Sequence, residues 1–348
     1  MSTENTAAWL VSPKAVPLEV GPAPYPRPRP DQLVVRTYAV AINPIDWMLQ
    51  YHAFMPQNYP TVLGQDVAGE VMEVGSEVKG FQRGDRVIGH TVALASGESN
   101  QGGFQQYTLL FENLVCHIPN DLTFEEGCVI PLGFSTAACG LYLDDYLKLD
   151  MPSSGRNRDI NKGALILWGG ATSVGFNAIQ LATASGYSVY ATASPANFAN
   201  LKSLGAVELF DYRSELVVED MISAVRGQTL VGGLDCVNKS KSTEKLAKVL
   251  KASNVSGSRL FISTVLPNED SLPPGVETLY IHGAALRSDF DRSKALYGDF
   301  LPESLANGSY KAVPTPQIVG QGLEKIQEAL DLQRKGVSAA KIVVSFAT

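Results

Sequence analysis

Along the first third of the chain, apolar residues come in short runs broken every few positions by turn formers. Gln32 to Ala41 is rich in β-branched and aromatic residues, and Val67 to Val74 and Arg86 to Ile88 have the same character, so each predicts a strand. Gly64, Gly69, Gly75, Gly80, Gly84 and Gly89 punctuate these runs. Many short strands with frequent turn residues predict a compact β-rich unit, partly barrel-like.

The pattern changes after about Pro131. Gly163 to Trp168 is an apolar run followed by glycines and then by a helical stretch, Val174 to Ala184. Tyr187 to Ala193 is again strand-like and Asn197 to Leu204 again helical. Val207 to Tyr212, Gly233 to Val237 and Arg259 to Val265 continue the strands, separated by helical segments such as Ser242 to Ala252. Strands alternating with helices predict a parallel, doubly wound sheet, so the fold class is α/β with a β-rich companion domain. Met151 to Lys162 reads as a surface loop. Ile318 to Arg334 carries helical spacing, and Lys341 to Phe346 predicts a last strand that returns to the first domain. The expected division is 1–130 with 301–348, and 131–300. Leu260 to Leu286 predicts either a dimer-edge strand or a cover for the sheet, which leaves monomer and homodimer both open.

Composition narrows the class. A chain of 348 residues exceeds the size at which one core usually stops growing, which argues for two domains. The net charge of −7 argues against nucleic acid as the main partner, because phosphate binding calls for clustered positive charge. No apolar run is long enough to span a bilayer, and Met1 to Thr6 lacks the apolar region of a signal peptide. Cys116, Cys128, Cys139 and Cys236 show neither CxxC spacing nor the density of a disulfide scaffold, so a reducing cytoplasm is expected. The sequons at Asn238, Asn254 and Asn307 then read as chance matches.

Between a predicted strand and a predicted helix lies Gly169-Gly170-Ala171-Thr172-Ser173-Val174-Gly175. Small residues there let the backbone approach a pyrophosphate, and the helix N-terminus supplies unpaired N–H groups and partial positive charge. The spacing departs from strict G-x-G-x-x-G, and taken alone the motif also describes a tight structural turn. An NAD-preferring site places an acidic residue about 20 residues past the glycine loop. Here the strand ends in Ser194-Pro195-Ala196-Asn197, where Ser194 and Asn197 can donate hydrogen bonds to a 2′-phosphate that a carboxylate would repel. Lys202 is either a further phosphate contact or a solvated lysine, and Tyr212 either a contact or a core residue. The expected cofactor is NADPH.

Several separate segments resemble the medium-chain dehydrogenase/reductase family. They are Ala41-Ile42-Asn43-Pro44-Ile45-Asp46, Gly64-Gln65-Asp66-Val67-Ala68-Gly69-Glu70-Val71, Gly84-Asp85-Arg86-Val87, Gly103-Phe104-Gln105-Gln106-Tyr107, Gly133-Phe134-Ser135-Thr136, and the glycine loop with Ala178-Ile179-Gln180-Leu181-Ala182. The resemblance implies a GroES-like catalytic domain and a Rossmann NADPH-binding domain. Zinc enzymes of this family hold a catalytic metal with Cys, His and Cys. The matching positions here are Asn43, Gln65 and Leu132, none of which supplies the thiolate or imidazole that zinc favours. Val87 to Phe104 contains no cysteine, so the structural-zinc lobe is absent too. The resemblance therefore implies a zinc-free quinone oxidoreductase or enoyl reductase. It is closest to a fungal branch that includes trans-acting enoyl reductases of polyketide synthases and the proteins called CipB-like or ToxD-like. Tyr190 to Phe198 and Phe210-Asp211-Tyr212-Arg213 carry that closer likeness, and it implies that Ser194, Lys202 and Tyr212 hold the 2′-phosphate.

Asn43 and Thr136 flank the vacated metal position and are expected near the nicotinamide, with ordinary turn or cap bonding as the alternative. Met48 stands where relatives often carry Tyr or Lys, and its thioether cannot donate a proton. Trp47, Met48 and Phe54 shape either an apolar acceptor pocket or the core. Tyr51 and His52 are substitute donors, as is a bound water; His90 reads as a surface or hydrogen-bonded histidine. Three functions follow as expectations. The first is NADPH-dependent reduction of a conjugated C=C bond in a small apolar carbonyl substrate, presented by a carrier protein if the pathway is polyketide-linked. The others are quinone reduction and noncatalytic NADPH binding.

Overall fold

The computed structural model describes residues 4–55, 57–153 and 162–346. The chain divides into two compact units, Met1–Leu132 with Arg287–Thr348, and Gly133–Leu286.

The first unit is built on strands β1 (Glu4–Leu10), β2 (Glu19–Pro24), β3 (Gln32–Ala41), β4 (Thr61–Val62), β5 (Asp66–Val74), β6 (Arg86–His90), β7 (Tyr107–Phe111) and β8 (Val115–His117). Between β3 and β4 lies helix α1 (Pro44–His52), which opens with Pro44 in the first turn after Asn43, whose backbone is extended. β3 is buried along nearly its whole length because it is paired on both sides, antiparallel to β5 and, at different points along its other edge, to β7 and the C-terminal strand. Its Leu33, Val35 and Val40 pack with Leu49 of α1 and with Val67 and Val71 of β5 in one apolar core.

Helix α2 (Pro131–Tyr142) carries the chain into the second unit. There β9 (Ala164–Trp168), α3 (Ser173–Ala184), β10 (Ser188–Ala193), α4 (Phe198–Ser203), β11 (Ala206–Asp211), α5 (Val217–Ala224), β12 (Leu230–Asp235), α6 (Ser242–Ala252), β13 (Phe261–Thr264) and β14 (Glu277–Tyr280) alternate as predicted. The six strands are all parallel, in the order β11-β10-β9-β12-β13-β14. That is the doubly wound order, whose reversal lies between β9 and β12. β9 is wholly buried, as expected of a central parallel strand covered on both faces.

The chain then returns to the first unit, as its last strand predicts. β15 (Thr315–Gln321), α7 (Ile326–Lys335) and β16 (Ala340–Ser345) follow, and β16 pairs antiparallel with β3 through Val343↔Ala41.

Three expectations change. Ile318 does not begin a helix: it lies in edge strand β15, and Gly322, at φ +96°, turns the chain before the helix starts. Gly320 is a poor helix residue, and pairing with β16 holds this stretch extended, so the apolar spacing there is that of a strand. The return to the first unit comes at Arg287 rather than at 301. Residues 287–300 are held to it by the Arg287 guanidinium, 3.6 Å from the Phe111 ring centroid, by Asn113 donating to the Ser293 hydroxyl, and by Tyr297 donating to the Pro131 carbonyl. β12 starts at Leu230, three residues before the predicted Gly233. The predicted loop from Met151 to Lys162 lies largely outside the described residues. β14, within the Leu260–Leu286 segment, ends the strand order of this sheet.

Candidate active site

In the second unit the chain leaves β9 through Gly169, whose φ of +87° suits a residue without a side chain. A β-carbon on Gly175 would strike the Gly169 carbonyl, so only glycine lets the start of α3 close onto the loop. Thr172 caps the helix: its Oγ1 accepts from the Gly175 amide at 3.0 Å and donates to the Gly169 carbonyl at 2.9 Å. The Gly169 and Gly170 amides donate to Thr192 of β10, tying the loop to the neighbouring strand. A tight loop with a helix N-terminus directly behind it fits a dinucleotide pyrophosphate.

The ends of β10 and β11 lie side by side, with Ala193 in register with Asp211. Just beyond them, Asn197 donates to the Ser194 hydroxyl at 3.0 Å. Tyr212 and Lys202 are exposed, so Tyr212 is not a core residue. Asp211, the last residue of β11, is matched by Arg213 through two contacts of 2.9 and 3.0 Å, and that pairing holds its carboxyl below the usual range. Arg213 also lies over the Tyr212 ring. No sequence pattern assigns Arg213 a role; its pairing with Asp211 brings it to this edge.

In the first unit, a buried polar node forms where β5, β6, β16 and the starts of α1 and α2 converge. Lys341 on β16 donates to Asn43 Oδ1 at 2.6 Å and lies 2.9 Å from Asp66 Oδ2. Asn43 Nδ2 donates to the same Asp66 oxygen at 2.7 Å. The other oxygen, Asp66 Oδ1, accepts from the Leu132 amide at 2.6 Å, in the first turn of α2. The Lys341 and Asp66 side chains are 4% and 0% exposed, which makes this a fully desolvated ion pair. Removing one partner of such a pair typically costs about 3–5 kcal/mol, because a charge is left buried without compensation.

Two more titratable groups border the node. Asp46 accepts from the Asn43 amide at 2.8 Å through Oδ2, while its buried Oδ1 has no hydrogen-bond partner. Burial pushes its carboxyl up to about 7, against the pull of the Asn43 and Gly64 amides and with a further push from Asp66. His90 is paired across the sheet with Asp66; burial pulls its imidazole down to about 4, and its Nδ1 has no hydrogen-bond partner. His90 is therefore neither at the surface nor satisfied through Nδ1, because its pairing with the first residue of β5 draws it into the covered end of the sheet.

The residues singled out from sequence are thus distributed unevenly. Asn43 is at the node, 3% exposed, with both ends of its amide engaged. Thr136 is buried in α2, within four residues of the Leu132 amide that Asp66 holds. Tyr51 faces elsewhere: its hydroxyl donates to Asp331 of α7 at 2.7 Å, and Arg334 lies 4.2 Å from its ring centroid. That hydrogen bond, with burial second, raises its pKa. Trp47 and Met48 are half-buried and Phe54 is half exposed. Among the described residues no group of three or more His, Cys, Asp or Glu side chains is placed to hold a metal ion.

Residues 29–120 match the family model of the alcohol dehydrogenase GroES-like domain. The chain is 41% identical to the zinc-binding alcohol dehydrogenase domain-containing protein cipB of Emericella nidulans, over 98% of each sequence. It is 38% identical to the trans-enoyl reductase himH of Aspergillus japonicus, over 98% of this chain and 97% of himH. Among solved structures, an alcohol dehydrogenase superfamily protein from Novosphingobium aromaticivorans superposes with a TM-score of 0.74 at 26% identity, covering 98% of this chain and 99% of its own.

Proposed function

The chain belongs to the medium-chain dehydrogenase/reductase family, among fungal dehydrogenases and trans-enoyl reductases, and on that premise we propose that it is an NADPH-dependent, zinc-independent reductase of C=C bonds conjugated to a carbonyl. An oxidoreductase that uses a nicotinamide cofactor is the common ground of its relatives. The observation that carries the finer reading is the node itself. Where zinc relatives hold a Lewis acid, this chain has a lysine, an aspartate and an asparagine bonded to one another. Alcohol oxidation by a metal alkoxide has no support from such a donor set, whereas hydride transfer to a conjugated acceptor requires none.

The glycine loop, Thr172 and the N-terminus of α3 would hold the pyrophosphate. Ser194, Asn197, Lys202, Tyr212 and Arg213 offer donors for a 2′-phosphate. When bound, NADPH supplies the hydride. The chain's part is to orient, to exclude water and to keep the node's charges compensated; the half-buried Trp47 and Met48 are the residues we place beside an apolar acceptor. The relatives' names support an enoyl substrate, which a carrier protein would present in a polyketide pathway.

A second reading, quinone reduction, draws on two observations: the Tyr51 hydroxyl is occupied by Asp331, and Met48 has no proton to give. A quinone can take its protons from water. The test is NADPH consumption by metal-free protein with an α,β-unsaturated thioester, an enone and an ortho-quinone, with products identified. Saturated products from the first two support the proposal, turnover of the quinone alone favours the second reading, and silence on all three with tight NADPH binding marks a noncatalytic protein.

A further inference from the structure

We propose that Lys341 is a positioning residue: its buried ammonium is an internal cation that fixes Asp66 and Asn43 and thereby sets the start of α2. Three contacts close a triangle, Lys341 to Asn43 at 2.6 Å, Asn43 to Asp66 at 2.7 Å and Lys341 to Asp66 at 2.9 Å. The three residues come from β16, the start of α1 and the start of β5, which are distant in sequence. Asp66 extends the triangle to α2 by accepting the Leu132 amide at 2.6 Å. The first N–H groups of a helix have no partner within it, and a carboxylate is favoured there by the helix dipole, so this bond decides where α2 begins. Thr136 is one turn further along the same helix.

Asn43 and Leu132, two of the three positions that the family resemblance matches to zinc ligands, are both bonded into this arrangement. The lysine supplies positive charge at the node without a metal. An ammonium has no vacant orbital with which to activate a substrate, and at 4% exposure Lys341 touches none; it acts through Asp66 and Asn43. The kinetic part of this inference rests on the proposed reductase activity, while the structural part does not.

Hydrogen exchange on the full-length protein, read by mass spectrometry, tests it with K341M and K341R. In K341M, peptides covering 132–136 are expected to exchange about tenfold faster, with the β9 peptide unchanged. The kcat for a small enone falls about tenfold while the KM for NADPH stays within about twofold, and K341R restores both measurements. Should K341M not fold, K341M/D66N, which leaves no unpaired carboxylate, is read in the same way. Unchanged exchange at 132–136 overturns the inference. Faster exchange with unchanged kcat overturns the role in the reaction. If the wild-type protein turns over no acceptor, the reductase reading falls, and the exchange result alone decides the role of Lys341.

Discussion

Asp46 and His90 give the buried node two opposing responses to pH. Asp46 is held neutral up to about 7 instead of 3.8, which corresponds to about 4 kcal/mol of preference for its protonated form in the fold. That stability is fully present in acid and is lost as the pH rises from about 4 to about 7. His90 is held neutral down to about 4 instead of 6.5, about 3 kcal/mol in favour of its unprotonated form. Its share is present above 6.5 and is lost as the pH falls toward 4. Over the shared range the two slopes nearly cancel, so the wild-type protein shows little pH dependence from this pair. Single variants expose each slope. Urea unfolding of wild type, D46N and H90Q across this range is the assay, and differences between proteins remove the background from the remaining charges. The stability of wild type relative to D46N should fall by about 4 kcal/mol from acid to neutral pH, and that relative to H90Q should rise by about 3 kcal/mol. Differences that stay constant with pH would refute the reasoning.

Other substitutions test separate parts of the account. G175A, which places a β-carbon against the Gly169 carbonyl, should weaken NADPH binding about tenfold or more in a protein that still folds, measured by fluorescence titration. S194E places a carboxylate at the end of β10 and should shift the NADPH-to-NADH ratio of kcat/KM toward NADH by about tenfold; an unchanged ratio would remove Ser194 from the phosphate site. Y51F should cost about 1 kcal/mol through the lost bond to Asp331 and leave kcat on an enone within about twofold, since the hydroxyl is committed to α7.

How much of this was legible in the sequence depended on the range of the interaction. β3 and α6 occupy the predicted segments, because the signals are local: β3 is rich in β-branched residues and buried along nearly its whole length, and α6 has one buried side. The doubly wound sheet and the glycine loop before α3 were readable for the same reason. The node was not. Lys341 and Asp66 are brought together only when β16 pairs with β3 and β3 with β5, and no local pattern carries that. Lys341 read as the polar first residue of a terminal strand, and Asp66 as part of a family segment; neither had a visible partner. Tyr51 was misleading in the opposite way: its place after Met48 suggested a substitute donor, whereas Asp331 of α7, 280 positions on, takes its hydroxyl. In β15 the apolar spacing of Ile318 and Val319 was compatible with a helix until the edge pairing with β16 was seen.

The most direct test of the central claim follows the hydride itself. Chelator-treated protein, checked by elemental analysis for the absence of zinc, is incubated with NADPH deuterated at C4 of the nicotinamide and with an α,β-unsaturated thioester, and the product is read by mass spectrometry and NMR. The account predicts a saturated thioester carrying deuterium at the β-carbon, formed at an undiminished rate without metal. A product that forms only after zinc is restored, or a thioester recovered unsaturated while NADPH is consumed with a quinone, would contradict it.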